Sequence, residues 1–77
     1  MEYLAQLKQY LDSSAELIKK HSEKEDFGIR VAFYHQAFGA ADFAARIAWE
    51  KGGSEEEEKI RSLWEEYNPI LTKLTWG

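Results

Sequence analysis

The sequence predicts an all-α protein, a three-helix bundle that associates with itself. Five glycines and one proline in 77 residues leave few turn signals, and no alternating pattern of a β-strand is visible. Apolar residues recur instead at helical spacing in segments of about 2–20, 27–51 and 54–75. A chain of 77 residues is expected to form a single helical domain, 1–77.

The first predicted helix, about 2–20, is amphipathic with one buried face. Its apolar line is formed by Leu4, Leu7, Leu11 and Ile18, with Tyr3, Tyr10 and Leu17 beside it. The helix is expected to break within HSEKEDFG, where charges cluster. Asp26 is one candidate cap for the next helix, and Ser22 with Glu25 is a competing capping box.

The second predicted helix, about 27–51, is apolar around most of its circumference and stops at Gly52–Gly53. At 100° per residue, bulky apolar side chains cover about 240°, well beyond the stripe of a surface helix. Between two aromatic flanks runs a seam of alanines, which permits close approach of another helix: Ala37, Ala41, Ala44 and Ala48.

The third predicted helix, about 54–75, begins at Ser54, which forms a capping box with Glu57. Its narrow apolar stripe consists of Ile60, Leu63, Trp64, Tyr67, Leu71 and Leu74. Pro69 falls on the solvent side of this stripe. It predicts either a kink or a new short helix capped by Asn68.

The breadth of the second helix leads to the prediction of self-association. Two neighbouring helices can cover only part of it, and a short chain without cysteines has no disulfides to stabilise it. We therefore expect a homo-oligomer, with a two-fold dimer favoured. The residues expected at the interface are Ala37, Ala41, Ala44, Ala48, Phe38, Phe43 and Trp49.

A polar stripe on the same helix, His35, Asp42 and Arg46, is the strongest candidate for a polar site. His35 and Asp42 are separated by about 10.5 Å along the axis, too far to hydrogen bond directly. Asp42 and Arg46 have the spacing of a surface ion pair. No serine or cysteine is placed to complete a nucleophilic set, so we expect no catalytic residues, and we expect no cofactor. We expect no metal site, because neither histidine belongs to a Glu-x-x-His pair.

The net charge of the chain and its apolar pattern limit the classes of molecule that it is expected to bind. A net charge of −4 disfavours nucleic acid and anionic lipid. Polar residues interrupt the longest apolar stretch, so no membrane span is expected. With no cysteine and no secretory signal in MEYLAQLKQYL, the expected location is cytoplasmic.

These observations favour a non-catalytic interaction or oligomerisation module rather than an enzyme, and they leave room for a further protein partner. The alternative is a small protein that binds an apolar ligand in a cleft beside the second helix. No motif ties the residues to a known family.

Overall fold

The computed structural model describes residues 2–77, which are almost entirely helical. Helix α1 spans Glu2–Lys20, a short 3₁₀ turn spans Lys24–Asp26, and helix α2 spans Phe27–Trp76. Within this described range there is no β-strand. The all-α prediction is confirmed.

Helix α2 folds back on itself at a single residue. A straight helix of 50 residues would be about 75 Å long, but the molecule measures 42 Å along its longest axis. Gly53 leaves the helical conformation with φ 77° and ψ −163°, and the residues on either side of it are helical. The N-terminal arm of α2 (27–52) and its C-terminal arm (54–76) therefore lie side by side, with the rings of Tyr34 and Trp76 4.9 Å apart.

The prediction of a three-helix bundle is wrong. The described residues form two α-helices, and the segments expected to be the second and third helices are the two arms of α2. The physical reason is that one glycine with positive φ reverses the chain without a connecting loop. Ser54 consequently lies inside α2 instead of capping a new helix.

The break considered near Pro69 is also wrong, because α2 continues through this residue, whereas a kink there stays a prediction. Pro69 is exposed, so water can solvate the carbonyl that loses its intrahelical hydrogen bond. Asn68 does not cap a helix. Its Oδ1 accepts hydrogen bonds from the Tyr34 hydroxyl at 2.6 Å and from the Thr72 hydroxyl at 3.1 Å.

The core lies where α1 covers the seam between the two arms. Its largest fully buried apolar side chains are Leu11, Ile18, Ile60 and Leu71, and four alanines of the N-terminal arm are buried beside them. Helix α1 runs antiparallel to the N-terminal arm. The ring of His21, just after α1, stacks on Phe33 at 5.9 Å, whereas Tyr3 at the start of α1 hydrogen bonds to Glu56, just past the fold at Gly53.

Arg30 fastens the turn between the helices to the end of the chain. Its guanidinium donates to the backbone carbonyl oxygens of His21 (2.9 Å) and Glu23 (2.7 Å), and also to that of Thr75 (3.2 Å). Asp26 stands at the N-cap position of α2, but its side chain makes no capping hydrogen bond. Its Oδ2 instead lies 3.8 Å from Nδ1 of His21.

Candidate functional site

The structure presents surface grooves along each of its helix–helix seams, and they differ in charge. The groove between α1 and the C-terminal arm is lined in part by four charged residues: Lys8, Glu58, Lys59 and Glu66. The groove between the two arms of α2 is lined in part by Asp42, Arg61 and Glu65. The groove between α1 and the N-terminal arm contains one charged residue, Lys51, which lies at its end.

This third groove is the strongest candidate site because its lining carries the least charge. Its volume of about 520 Å³ is similar to that of the groove between α1 and the C-terminal arm, about 540 Å³. It is lined by Tyr3, Gln6, Leu7, Tyr10, Ala40, Phe43, Ala44, Ile47 and Lys51. Phe43 rises from its edge and is the most exposed large apolar side chain described, at 67%.

Helix periodicity extends the same uncharged character along both walls of the groove. On α1, Tyr3, Tyr10 and Leu17 are seven residues apart and therefore share one line. On the N-terminal arm, Ile29, Gln36 and Phe43 have the same spacing. We call the combined surface the uncharged face: Tyr3, Gln6, Tyr10, Leu17, Ile29, Gln36, Ala40, Phe43 and Ile47.

Tyr3, in the wall of this groove, hydrogen bonds to the C-terminal arm. Its hydroxyl donates to Oε2 of Glu56 at 3.3 Å, and that carboxylate also accepts a hydrogen bond from Lys59 at 2.9 Å. Partial burial and the negative charge of Glu56 raise the pKa of Tyr3, while the hydrogen bond from Lys59 lowers the pKa of Glu56. The phenol is therefore protonated at physiological pH and donates this hydrogen bond.

The predicted interface residues divide into two groups. Ala37, Ala41 and Ala48 are buried within the chain itself, and Ala44 is half-buried in the groove. The alanine seam therefore packs α1 and the two arms together, so these buried alanines are not accessible to a second chain. Ala45, which the sequence interpretation missed, belongs to the buried set.

The three predicted aromatic residues remain exposed, on two different flanks. Phe43 belongs to the uncharged face, whereas Phe38 is 48% exposed and packs edge-on against Trp64 in the groove between the arms. Trp49, 55% exposed, lies with Arg46, Glu50 and Glu57 near the fold in α2. Only Phe43 among them combines high exposure with uncharged surroundings.

The predicted polar stripe does not form a compact site. Asp42 and Arg46 make an exposed ion pair, with Arg46 Nε 3.3 Å from Asp42 Oδ2. The ring of His35 packs edge-on against Tyr34, with 5.6 Å between the ring centroids. In the part of the chain described, no group of three or more His, Cys, Asp or Glu side chains is placed to hold a metal ion.

Sequence interpretation missed the contribution of α1 to the candidate site. Tyr3 and Tyr10 read as the edge of a buried stripe, although Tyr10 is exposed and both residues line the groove. The available signal was the seven-residue spacing of Tyr3, Tyr10 and Leu17 together with the absence of charge along that line.

Comparisons with protein-family models, with curated proteins and with solved structures found no match. No helix between residues 2 and 77 is long and apolar enough to span a membrane. The case for a function therefore depends on the surface of the molecule alone.

Proposed function

We propose that the chain is a non-catalytic interaction module that pairs with a second copy of itself through the uncharged face. The observation that carries this proposal is the contrast among the grooves: charged residues line two of them, and the third has a single lysine at its end. Depletion of charge together with enrichment in aromatic residues is typical of the centre of a protein interface.

Self-complementarity favours a second copy as the partner. A two-fold interface places the same surface of each chain against itself, so any charge near the axis meets its own like charge. The chain as a whole carries a net charge of −4, so two copies repel each other weakly at long range. The uncharged face avoids this repulsion, because it offers tyrosine, glutamine and aliphatic side chains that can pack on their own equivalents.

The size of the face predicts a modest affinity. Ile29 to Ile47 spans about 27 Å of helix, and the molecule is 16–17 Å across. Because this width is that of the whole molecule, roughly 430 Å² per copy is an upper bound on the flat area of the face, which is small beside the ~800 Å² of accessible surface per partner in a standard interface. We expect a dimer that dissociates on dilution.

The cytoplasmic location favoured by the sequence remains part of the proposal.

A small apolar ligand is the second candidate occupant of the same groove. The groove volume of about 520 Å³ lies within the range of ligand pockets, roughly 300–1,000 Å³. Such pockets also contain a few converging polar groups that orient the ligand. Here the polar lining is limited to Gln6, Lys51 and the tyrosine hydroxyls, which makes this candidate the weaker one.

Sedimentation equilibrium of Phe43→Glu over a range of concentrations tests the proposed dimer. Each dimer would bring two new carboxylates into the interface, so the dissociation constant should rise by roughly 100-fold or more. Trp49→Glu is the matched control, because it removes an exposed aromatic from the same helix and adds the same charge outside the uncharged face. It should dimerise like the parent.

Several results would contradict the proposal. A parent that stays monomeric at millimolar concentration would exclude the dimer, as would equal weakening by both substitutions. If the monomer instead brightens a dye that reports exposed apolar surface, and Phe43→Glu abolishes the signal, the small-ligand alternative is favoured.

A further inference from the structure

The single-residue fold in α2 has a consequence for how two copies could combine. Gly53 is the one residue of α2 with non-helical dihedral angles, and both Gly52 and Ser54 are helical. The two arms are therefore joined without any loop. If Gly53 adopted helical angles, the arms would become one straight helix, and short hinges of this kind favour exchange of segments between chains.

The closed conformation depends on glycine at two adjacent positions. At φ 77° and ψ −163°, Gly53 occupies a region that is essentially restricted to glycine. A Cβ atom on Gly52 would lie 2.2 Å from Cγ of Glu56. Any side chain at either position would therefore disfavour the fold while leaving a continuous helix accessible.

The C-terminal arm is held by contacts that do not require it to belong to the same chain. Ile60, Tyr67 and Leu71 are buried in the common core. Tyr67 hydrogen bonds to Lys8 and Asp12 of α1, and Tyr34 hydrogen bonds to Asn68. The arm of a second copy could make the same contacts. The closed chain and such an exchanged pair differ only in the backbone conformation at Gly53.

We propose that the cradle formed by α1 and the N-terminal arm also accepts the C-terminal arm of a second copy, giving a segment-exchanged dimer. In this dimer each α2 is straight, about 75 Å long, and the two α2 helices run antiparallel and cross near Gly53. The exchanged dimer retains the core contacts of the single chain and relieves the glycine-only conformation at both hinges. It uses the core of the molecule and does not depend on the uncharged face.

Gly53→Ala tests this inference, made in the Phe43→Glu background so that pairing through the uncharged face is suppressed. The conformation of Gly53 in the closed chain should be on the order of tenfold less accessible to alanine than to glycine. Because each exchanged dimer opens two hinges, this factor enters squared, and the dimer association constant should rise roughly 100-fold. Small-angle scattering should show a maximum dimension well beyond the 42 Å of the single chain.

Gly39→Ala in the same background is the matched control. Gly39 lies inside the N-terminal arm, and a Cβ placed there meets no neighbouring atom within 4 Å. This substitution favours the helix equally in the closed and exchanged forms, so the chain should stay monomeric. A folded Gly53→Ala variant that is as monomeric as Gly39→Ala would overturn the proposal.

Cross-linking decides the case in which Gly53→Ala does not fold. The chain has no cysteine, so Ala5→Cys with Ser62→Cys places one thiol on each side of the groove between α1 and the C-terminal arm. A short bismaleimide should link the two thiols within one chain in the closed form and between two chains in the exchanged form. After heating and slow cooling at high concentration, the glycine hinge should yield covalent dimers, and insertion of Gly-Gly-Ser after Gly53 should suppress them. Only intrachain links with either hinge would refute the exchange.

Discussion

Replacing Tyr67 with Phe removes one hydroxyl group from the junction between α1 and the C-terminal arm. The ring of Tyr67 is buried, at 7% exposure. Its hydroxyl donates to Oδ1 of Asp12 and accepts from Nζ of Lys8 at 3.1 Å. Phe keeps the ring and its packing, so the substitution isolates the contribution of these two hydrogen bonds.

The expected loss of unfolding free energy depends on how exposed the two hydrogen-bond partners, Lys8 and Asp12, are. A hydrogen bond to a charged group contributes about 1.5–3 kcal/mol. The side chains of Lys8 and Asp12 are 58% and 56% exposed and remain paired at 3.7 Å, so water can solvate them after the hydroxyl is removed. The lower end of the range therefore applies, about 1.5 kcal/mol. For a domain of this size, this corresponds to a melting temperature about 6–12 °C lower.

Alkaline pH provides a second readout. The hydrogen bond to Asp12, followed by burial, raises the pKa of Tyr67 above its ordinary value of 10.0. The folded chain therefore holds this proton more tightly than the unfolded chain, so the stabilisation is complete below pH 10 and is lost as pH rises above it. The hydrogen bond to Tyr67 is also the main cause that raises the pKa of Lys8, whose contribution falls in the same direction as pH rises.

Urea unfolding between pH 8 and pH 11, followed by far-ultraviolet circular dichroism, measures both effects. Tyr10→Phe is the control, because it removes a hydroxyl group from an exposed tyrosine, Tyr10 of α1. The reasoning is refuted if Tyr67→Phe lies within about 0.5 kcal/mol of the parent at pH 8, the range of a neutral surface substitution. It is also refuted if the alkaline loss of stability is as large in Tyr67→Phe as in the parent.

Two further substitutions test polar groups near the C-terminal end of the chain. Arg30→Lys should lower the free energy of unfolding by about 1–2 kcal/mol, because one ammonium group cannot reproduce the guanidinium contacts to three carbonyl groups. Thermal melting checks this, and an unchanged melting temperature would contradict it. Thr75→Val should raise the free energy of unfolding by up to about 1 kcal/mol, because the buried Thr75 hydroxyl has no hydrogen-bond partner. A loss of stability in urea would show that the hydroxyl is satisfied after all.

Much of the local structure is predictable from the sequence, because it depends on neighbours along the chain. The bounds of α1, 2–20, follow from its apolar periodicity and the charged segment after it. Helical character throughout the rest of the chain follows from the same pattern. The glycine pair indicates where the chain turns, since Gly53 is able to adopt a positive φ.

Only one wall of the candidate groove was predictable from the sequence, because the other wall comes from a different helix. The exposed Phe43 follows from the breadth of the apolar surface on the second predicted segment. The opposite wall, with Tyr3 and Tyr10, depends on which side of α1 faces the N-terminal arm. Ala44 and Ala45 are separated by only 100° of rotation, so packing alone decides that Ala45 is the buried one.

By itself the sequence determined that the chain is helical, where it reverses, and that one segment carries more apolar surface than its neighbours along the chain can cover. Only the tertiary structure decided that the reversal is a one-residue fold inside α2 and that the alanines serve the chain's own core. It also decided that the groove between α1 and the N-terminal arm lacks charge along its length. The physical reason is that helix formation follows from contacts within a few residues. Which faces remain uncovered depends on the rotation and approach of whole helices, and these are set by contacts between residues far apart in the sequence.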